Sequence, residues 1–184
     1  MNAVTTVLAA SATTFAATNV DDIFLLTLFF ARKISTPRIV GGQYLGFIVI
    51  LLLSCLGALV ALSIPPRWIR LLGFLPLALG IKQLLQDRKS KDDAELRDNQ
   101  GLLSIALITL SNGADNFGVY VPFFRFNRGH LWLILTTYVV LMGVWCIVGR
   151  NLGRHPVILR ALDRARHWLI PSVFIGLGVY LLAF

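Results

Sequence analysis

Charged residues are scarce in this chain, at 14% of 184 residues, and acidic ones are scarcer still, with nine Asp and Glu together. Soluble domains carry about 25% charged residues. The deficit, set beside 57% hydrophobic residues and a mean hydropathy of +0.75, excludes an ordinary soluble fold. Cysteine is limited to Cys55 and Cys146. With no CxxC pair and no neighbouring His, each reads as a small hydrophobe in a packed helix. His130, His155 and His167 fall in or beside loops, and none has metal-ligand spacing. The apolar runs do not alternate, which excludes a barrel. No charge precedes Asp21, so the first run lacks the basic region of a secretory signal and reads as a retained helix.

What is there is a set of long apolar segments. About 20 residues span a bilayer as a helix, and six stretches qualify, at residues 4–31, 41–63, 68–86, 102–124, 131–149 and 168–184. Twelve Lys and Arg fall in the odd-numbered loops (Arg32, Lys33 and Arg38; Arg88, Lys89, Lys91 and Arg97; Arg150, Arg154, Arg160, Arg164 and Arg166). Four fall in the even-numbered ones (Arg67, Arg70, Arg125 and Arg128). The positive-inside rule then makes the odd loops cytoplasmic and puts both termini outside, in a multi-pass protein of the inner (plasma) membrane. The net charge of +8 is thereby explained by topology and anionic lipid, without a nucleic-acid partner. Trp68, Trp132 and Trp168 stand at segment ends, as interfacial aromatics do.

Only three acidic residues lie inside the apolar segments: Asp21, Asp22 and Asp115. Their contexts repeat. TNVDDIFLLTLFF at 18–30 aligns with NGADNFGVYVPFF at 112–124, so that Asp21 matches Asp115, Asp22 matches Asn116 and Phe29-Phe30 matches Phe123-Phe124. Tyr44 matches Tyr138 at the same offset. Three helices per half is an odd number, so the second half enters the membrane from the opposite side. The expectation is an all-α membrane protein of six transmembrane helices built as two inverted three-helix repeats, residues 1–86 and 102–184, joined by a charged cytoplasmic connector at 87–101. Asn112-Gly113 beside Asp115 predicts a break in the fourth helix, where freed backbone groups can line a polar cavity.

A carboxylate in hydrocarbon is costly and marks a functional site. Around Asp21, Asp22 and Asp115 the candidate ligands are Asn19, Asn112 and Asn116, with Thr18 and Ser111 as accessory oxygens. Carboxylates and amides are hard donors suited to divalent ions. Several negative charges in low dielectric favour a divalent cation over a monovalent one, and clustered buried carboxylates hold protons until a metal displaces them, which provides a route to metal/proton antiport. The metal is then substrate rather than cofactor, and no resident cofactor or catalytic residue is expected.

VDDIFLLTLFFAR (20–32), GQYLGF (42–47), LGFLPLALGIK (72–82), SNGADNFGVYVPFF (111–124) and FIGLGVYLL (174–182) together resemble the cadmium-resistance transporter family, CadD-type, of the lysine-exporter superfamily. The resemblance implies a six-helix inner-membrane exporter of Cd²⁺, with Zn²⁺ as a further substrate, energised by the proton gradient and acting as a homodimer. Asp21 and Asp115 match the acidic positions of the family. Where members carry Val-Asp-Leu this chain has Val20-Asp21-Asp22, and the added carboxylate would harden the site toward Mn²⁺. Three other readings were open to the residues. An exporter of organic cations or amino acids would want a cationic partner for a substrate carboxylate, and no Arg or Lys lies mid-segment. An intramembrane aspartyl protease would want Gly-x-Gly-Asp, where this chain has Asn112-Gly113-Ala114-Asp115. A thiol-disulfide carrier would want cysteines nearer the repeated motif.

Overall fold

The computed structural model describes residues 3–32, 34–63, 101–113 and 115–154, together with position 65 and single positions between 74 and 81 and between 171 and 179. The expected third and sixth segments and the charged connector fall outside or almost wholly outside these residues. Among the described residues every regular element is helical: α1 (Ala3–Thr18), α2 (Val20–Ala31), α3 (Thr36–Val60), α4 (Leu102–Asn112), α5 (Phe117–Phe126) and α6 (Leu131–Leu152), with short 3₁₀ turns at Ala61–Ser63 and Arg128–His130.

The first expected span, taken as one helix over 4–31, is instead two helices bent by 59° at Asn19. The cause is local. The Asn19 side-chain amide donates to the Phe15 carbonyl at 2.8 Å, competing with the helix ladder as Asn side chains do. Asp21 and Asp22 then occupy the first turn of α2, where negative charge suits the helix dipole. The fourth expected segment breaks at Asn112-Gly113, as predicted: α4 ends at Asn112, the Gly113 N–H closes on Thr109 O at 2.9 Å, and α5 begins at Phe117.

The second and fifth expected segments are continuous helices. Thr36–Ser63 and Arg128–Leu152 are each long and apolar enough to cross a membrane. The second starts five residues before its expected boundary because Ser35 and Pro37 form a helix start, which brings Arg38 into its first turns. Arg125 and Arg150 likewise belong to the last turns of α5 and α6 rather than to loops. Basic residues are favoured at helix C-termini, and Arg125 Nε also reaches Ala61 O at 3.0 Å.

The two long helices exchange partners. α3 packs along α4 and α5 of the second half, while α6 packs along α1 and α2 of the first. Glycines permit both contacts. A Cβ on Gly46 of α3 would stand 2.6 Å from the Ala106 carbonyl oxygen of α4, and one on Gly149 of α6 would stand 2.7 Å from Leu26 Cβ of α2. With Gly42 and Gly153 these form one small-xxx-small pair per long helix, the packing signal of membrane helices. Between them lies an aromatic core: Phe15 meets Phe47 edge-on with centroids 5.8 Å apart, and Tyr120 meets Tyr138 at 5.0 Å. Outward faces carry Leu52, Leu56, Val140 and Ile147, and Trp132 at the start of α6 is 83% exposed.

Candidate functional site

Both helix breaks lie at the start of the repeated motifs, and the structure brings them together. Asp22, fully buried in the first turn of α2, accepts a hydrogen bond on each carboxylate oxygen: Asn112 Nδ2 reaches Oδ1 at 2.8 Å, and Gln43 Nε2 reaches Oδ2 at 3.1 Å. Gln43 in turn accepts from the Thr109 hydroxyl at 2.8 Å. One carboxylate at the first break is therefore held by the last residue of α4 and, through α3, by the turn before it.

A second network holds the other side of the bend. Asn19 Nδ2 donates to Tyr120 Oη at 2.7 Å and lies 3.0 Å from Thr18 Oγ1, which is itself 2.9 Å from the same phenol oxygen. Trp145 Nε1 donates to the Asn19 carbonyl at 2.8 Å. Three residues of the second half, Asn112, Tyr120 and Trp145, thus bond directly to the bend of the first.

Several oxygens here have no hydrogen-bond partner although they are buried: Asn19 Oδ1, Asp115 Oδ1 and Asn116 Oδ1. Buried acceptors are nearly always satisfied, and three open ones at two helix breaks are the donor type a hard cation takes up. Asp115 is half-buried between α4 and α5, and its charge acts on both Asp21 and Asp22. Asp21 is half-buried, and its Oδ1 accepts the Asp22 N–H at 3.0 Å. Among the described residues no three of His, Cys, Asp and Glu are grouped closely enough to form a metal site by themselves. A cation held here would need donors besides those four residue types.

Of the residues expected at the site, Thr18, Asn19, Asp21, Asp22, Asn112, Asp115 and Asn116 all stand at the two breaks, whereas Ser111 lies on an exposed face of α4. Ser111 and Asn112 are neighbours in sequence and so point about 100° apart on a helix. Gln43, Thr109, Tyr120 and Trp145 were missed. Gln43 carried a usable signal, being a lone amide inside a long apolar run; Tyr120 and Trp145 carried none, since an amphipathic aromatic suits a membrane helix whether or not it bonds. Cys55 and Cys146 are free, and Cys146 packs with Leu26, Phe29 and Ile105 as an apolar residue would.

No similar curated protein and no similar solved structure was found. The family model described as cadmium resistance transporter, however, matches residues 15–183, from the bend of the first helix pair through both motifs. A chain with this composition, these apolar spans and that match is a membrane transport protein, and it belongs to the cadmium resistance transporter family.

Proposed function

We propose that the protein exports divalent metal cations, Cd²⁺ foremost with Zn²⁺ or Mn²⁺ as further substrates, by exchange for protons at the junction of the two helix breaks. The observation that carries this reading is the bond between Asn112 and Asp22, since it joins the motif of one half to the motif of the other. Metal export itself fits a family of cadmium resistance transporters.

The exchange of partners between α3 and α6 is what a two-fold relation between halves produces, and it supports two inverted repeats with the site near the midplane. A cation entering the junction would take oxygens from Asp115, Asn19 and Asn116, which have unfilled acceptors, and from Asp21 and Asp22. With the cation gone, three like charges in one poorly solvated region cannot all persist, so protons replace it. The bend at Asn19 and the gap between α4 and α5 supply the two places where the bundle can open in turn. A homodimer with both termini outside completes the reading and rests on the resemblance and the Lys/Arg asymmetry.

Uptake of radiolabelled Cd²⁺ and Mn²⁺ into inverted membrane vesicles, with and without an imposed pH gradient, tests this. Inverted vesicles present the cytoplasmic face, so gradient-dependent accumulation is export by antiport. Accumulation indifferent to the gradient would remove the proton from the mechanism.

A further inference from the structure

Gln43 is fully buried, and its amide nitrogen is shared between acceptors of opposite character, Asp22 Oδ2 at 3.1 Å and Met142 Sδ at 3.6 Å. A partly positive N–H₂ group held between an anionic oxygen and a polarizable sulfur occupies the kind of place a cation takes. The other end of the amide meets Thr109, whose hydroxyl donates in this structure and can equally accept. Half a turn about the terminal Gln torsion, which is broad and two-fold, would exchange Oε1 and Nε2 without moving the carbon chain. Nε2 would then donate to Thr109, and Oε1 would join Asp22 Oδ2 and Met142 Sδ.

The geometry points to Gln43 and Met142 as cation ligands beside Asp22, making a mixed oxygen and sulfur site for a soft or borderline divalent ion such as Cd²⁺, with the Gln43 amide turning to receive it. Oxygen donors alone suit Mg²⁺, Ca²⁺ and Mn²⁺, and a thioether moves the preference to softer ions. The sulfur thus offsets the hardening that the added carboxylate of Asp22 brings. Met142 lies in the apolar core with Phe47 and Tyr138, where methionine commonly fills gaps. What sets it apart is the hydrogen bond from the same buried amide that holds the carboxylate. This proposal rests on the divalent-cation reading and deepens it.

The test is X-ray absorption at the cadmium edge on purified full-length protein loaded with Cd²⁺, with calorimetric affinities for Cd²⁺ and Mn²⁺. The variants are Met142→Leu, which conserves volume, Cys146→Ser, Gln43→Glu and Gln43→Leu. We expect one sulfur neighbour of cadmium in the wild type and in Cys146→Ser, and none in Met142→Leu. The Met142→Leu affinity for Cd²⁺ should fall about tenfold while Mn²⁺ binding holds. Gln43→Glu, which keeps an oxygen at the site, should bind Cd²⁺, whereas Gln43→Leu should bind both ions at least about tenfold more weakly. An all-oxygen shell in the wild type, or a sulfur that persists in Met142→Leu, overturns the proposal. So does a Gln43→Glu variant as weak as Gln43→Leu, because the amide would then serve only to hold Asp22. A wild-type protein that binds no Cd²⁺ overturns the divalent-cation reading itself.

Discussion

Asn112 Nδ2 lies 2.8 Å from Asp22 Oδ1, although the two residues are 90 positions apart in the chain. Each stands beside a helix break, so this hydrogen bond is also a contact between the two interruptions. Asp22 receives Gln43 on its second oxygen and is therefore tied to both α3 and α4.

That arrangement gives Asp22 more weight than its position suggests. On sequence grounds Asp22→Asn should be milder than Asp115→Asn, because the second repeat carries Asn116 at the matching place. The structure argues the reverse for folding. An Asn at 22 has one acceptor oxygen for two amide donors, and its own N–H₂ would face one of them. Leaving a buried donor unsatisfied costs about 1–3 kcal/mol. We expect Asp22→Asn to lower thermal stability measurably and to abolish Cd²⁺ transport, as read by a melting curve in detergent and by vesicle uptake. A melting curve matching the wild type would show that the two bonds to Asp22 contribute little.

Tyr120→Phe isolates the second network. It deletes the oxygen that meets Asn19 Nδ2 and Thr18 Oγ1 while leaving the ring against Phe124 and Tyr138. Removing one partner from buried groups costs about 1–3 kcal/mol, so reduced thermal stability and slower transport are expected. Unchanged values for both would mean that the bend at Asn19 is held without the phenol oxygen, by the bonds of Asn19 to Phe15 and Trp145 and by helix packing.

How much of this was legible in the chain differs from residue to residue. Asp21, Asp115 and the break after Asn112 could be read, because acid in an apolar run and Asn-Gly beside it are rare and costly features. The two continuous spans were legible from length and hydropathy, to within a few residues at their ends. The bend at Asn19 was not, although Asn19 followed by Asp21 and Asp22 has the polar-then-acidic character of a helix start; within a long apolar run without Gly or Pro, that signal was overridden. Gln43 could have been flagged as a lone amide in an apolar run, whereas Tyr120 and Met142 gain their polar contacts only from what packs across from them. Helix phase decided against Ser111, since an apolar helix in a membrane does not announce which side faces inward.

Glycine substitutions test the packing that brings the halves together. A Cβ at Gly46 would approach the Ala106 carbonyl oxygen to 2.6 Å, whereas Gly129 has open space around it. Gly46→Ala forces the backbones of α3 and α4 apart, and overpacking of this kind costs about 1–3 kcal/mol. Gly129→Ala should leave the melting temperature unchanged. Equal stability of the two variants, measured side by side, would contradict the close contact of α3 with α4.

Cation binding at a site that otherwise holds protons should release them. In weakly buffered solution, adding Cd²⁺ to the purified protein is expected to acidify the medium. The sign for affinity follows: protons compete for the same oxygens, so apparent Cd²⁺ affinity rises as pH rises and falls as pH falls. Titration calorimetry in buffers of different ionisation enthalpy counts the protons. A count of zero would leave metal binding intact and remove antiport.

The central claim is that the two interruptions share one cation, and Asp115→Asn tests it most directly. Asp115 Oδ1 has no partner in the fold, so removing the charge breaks no bond to that atom, and a neutral amide costs less than a carboxylate in the membrane. The measurement is Cd²⁺ binding to purified wild-type and Asp115→Asn protein, at matched melting temperature. The account predicts that the variant stays as stable as the wild type and loses Cd²⁺ binding. Binding of Cd²⁺ by Asp115→Asn with wild-type affinity would contradict it.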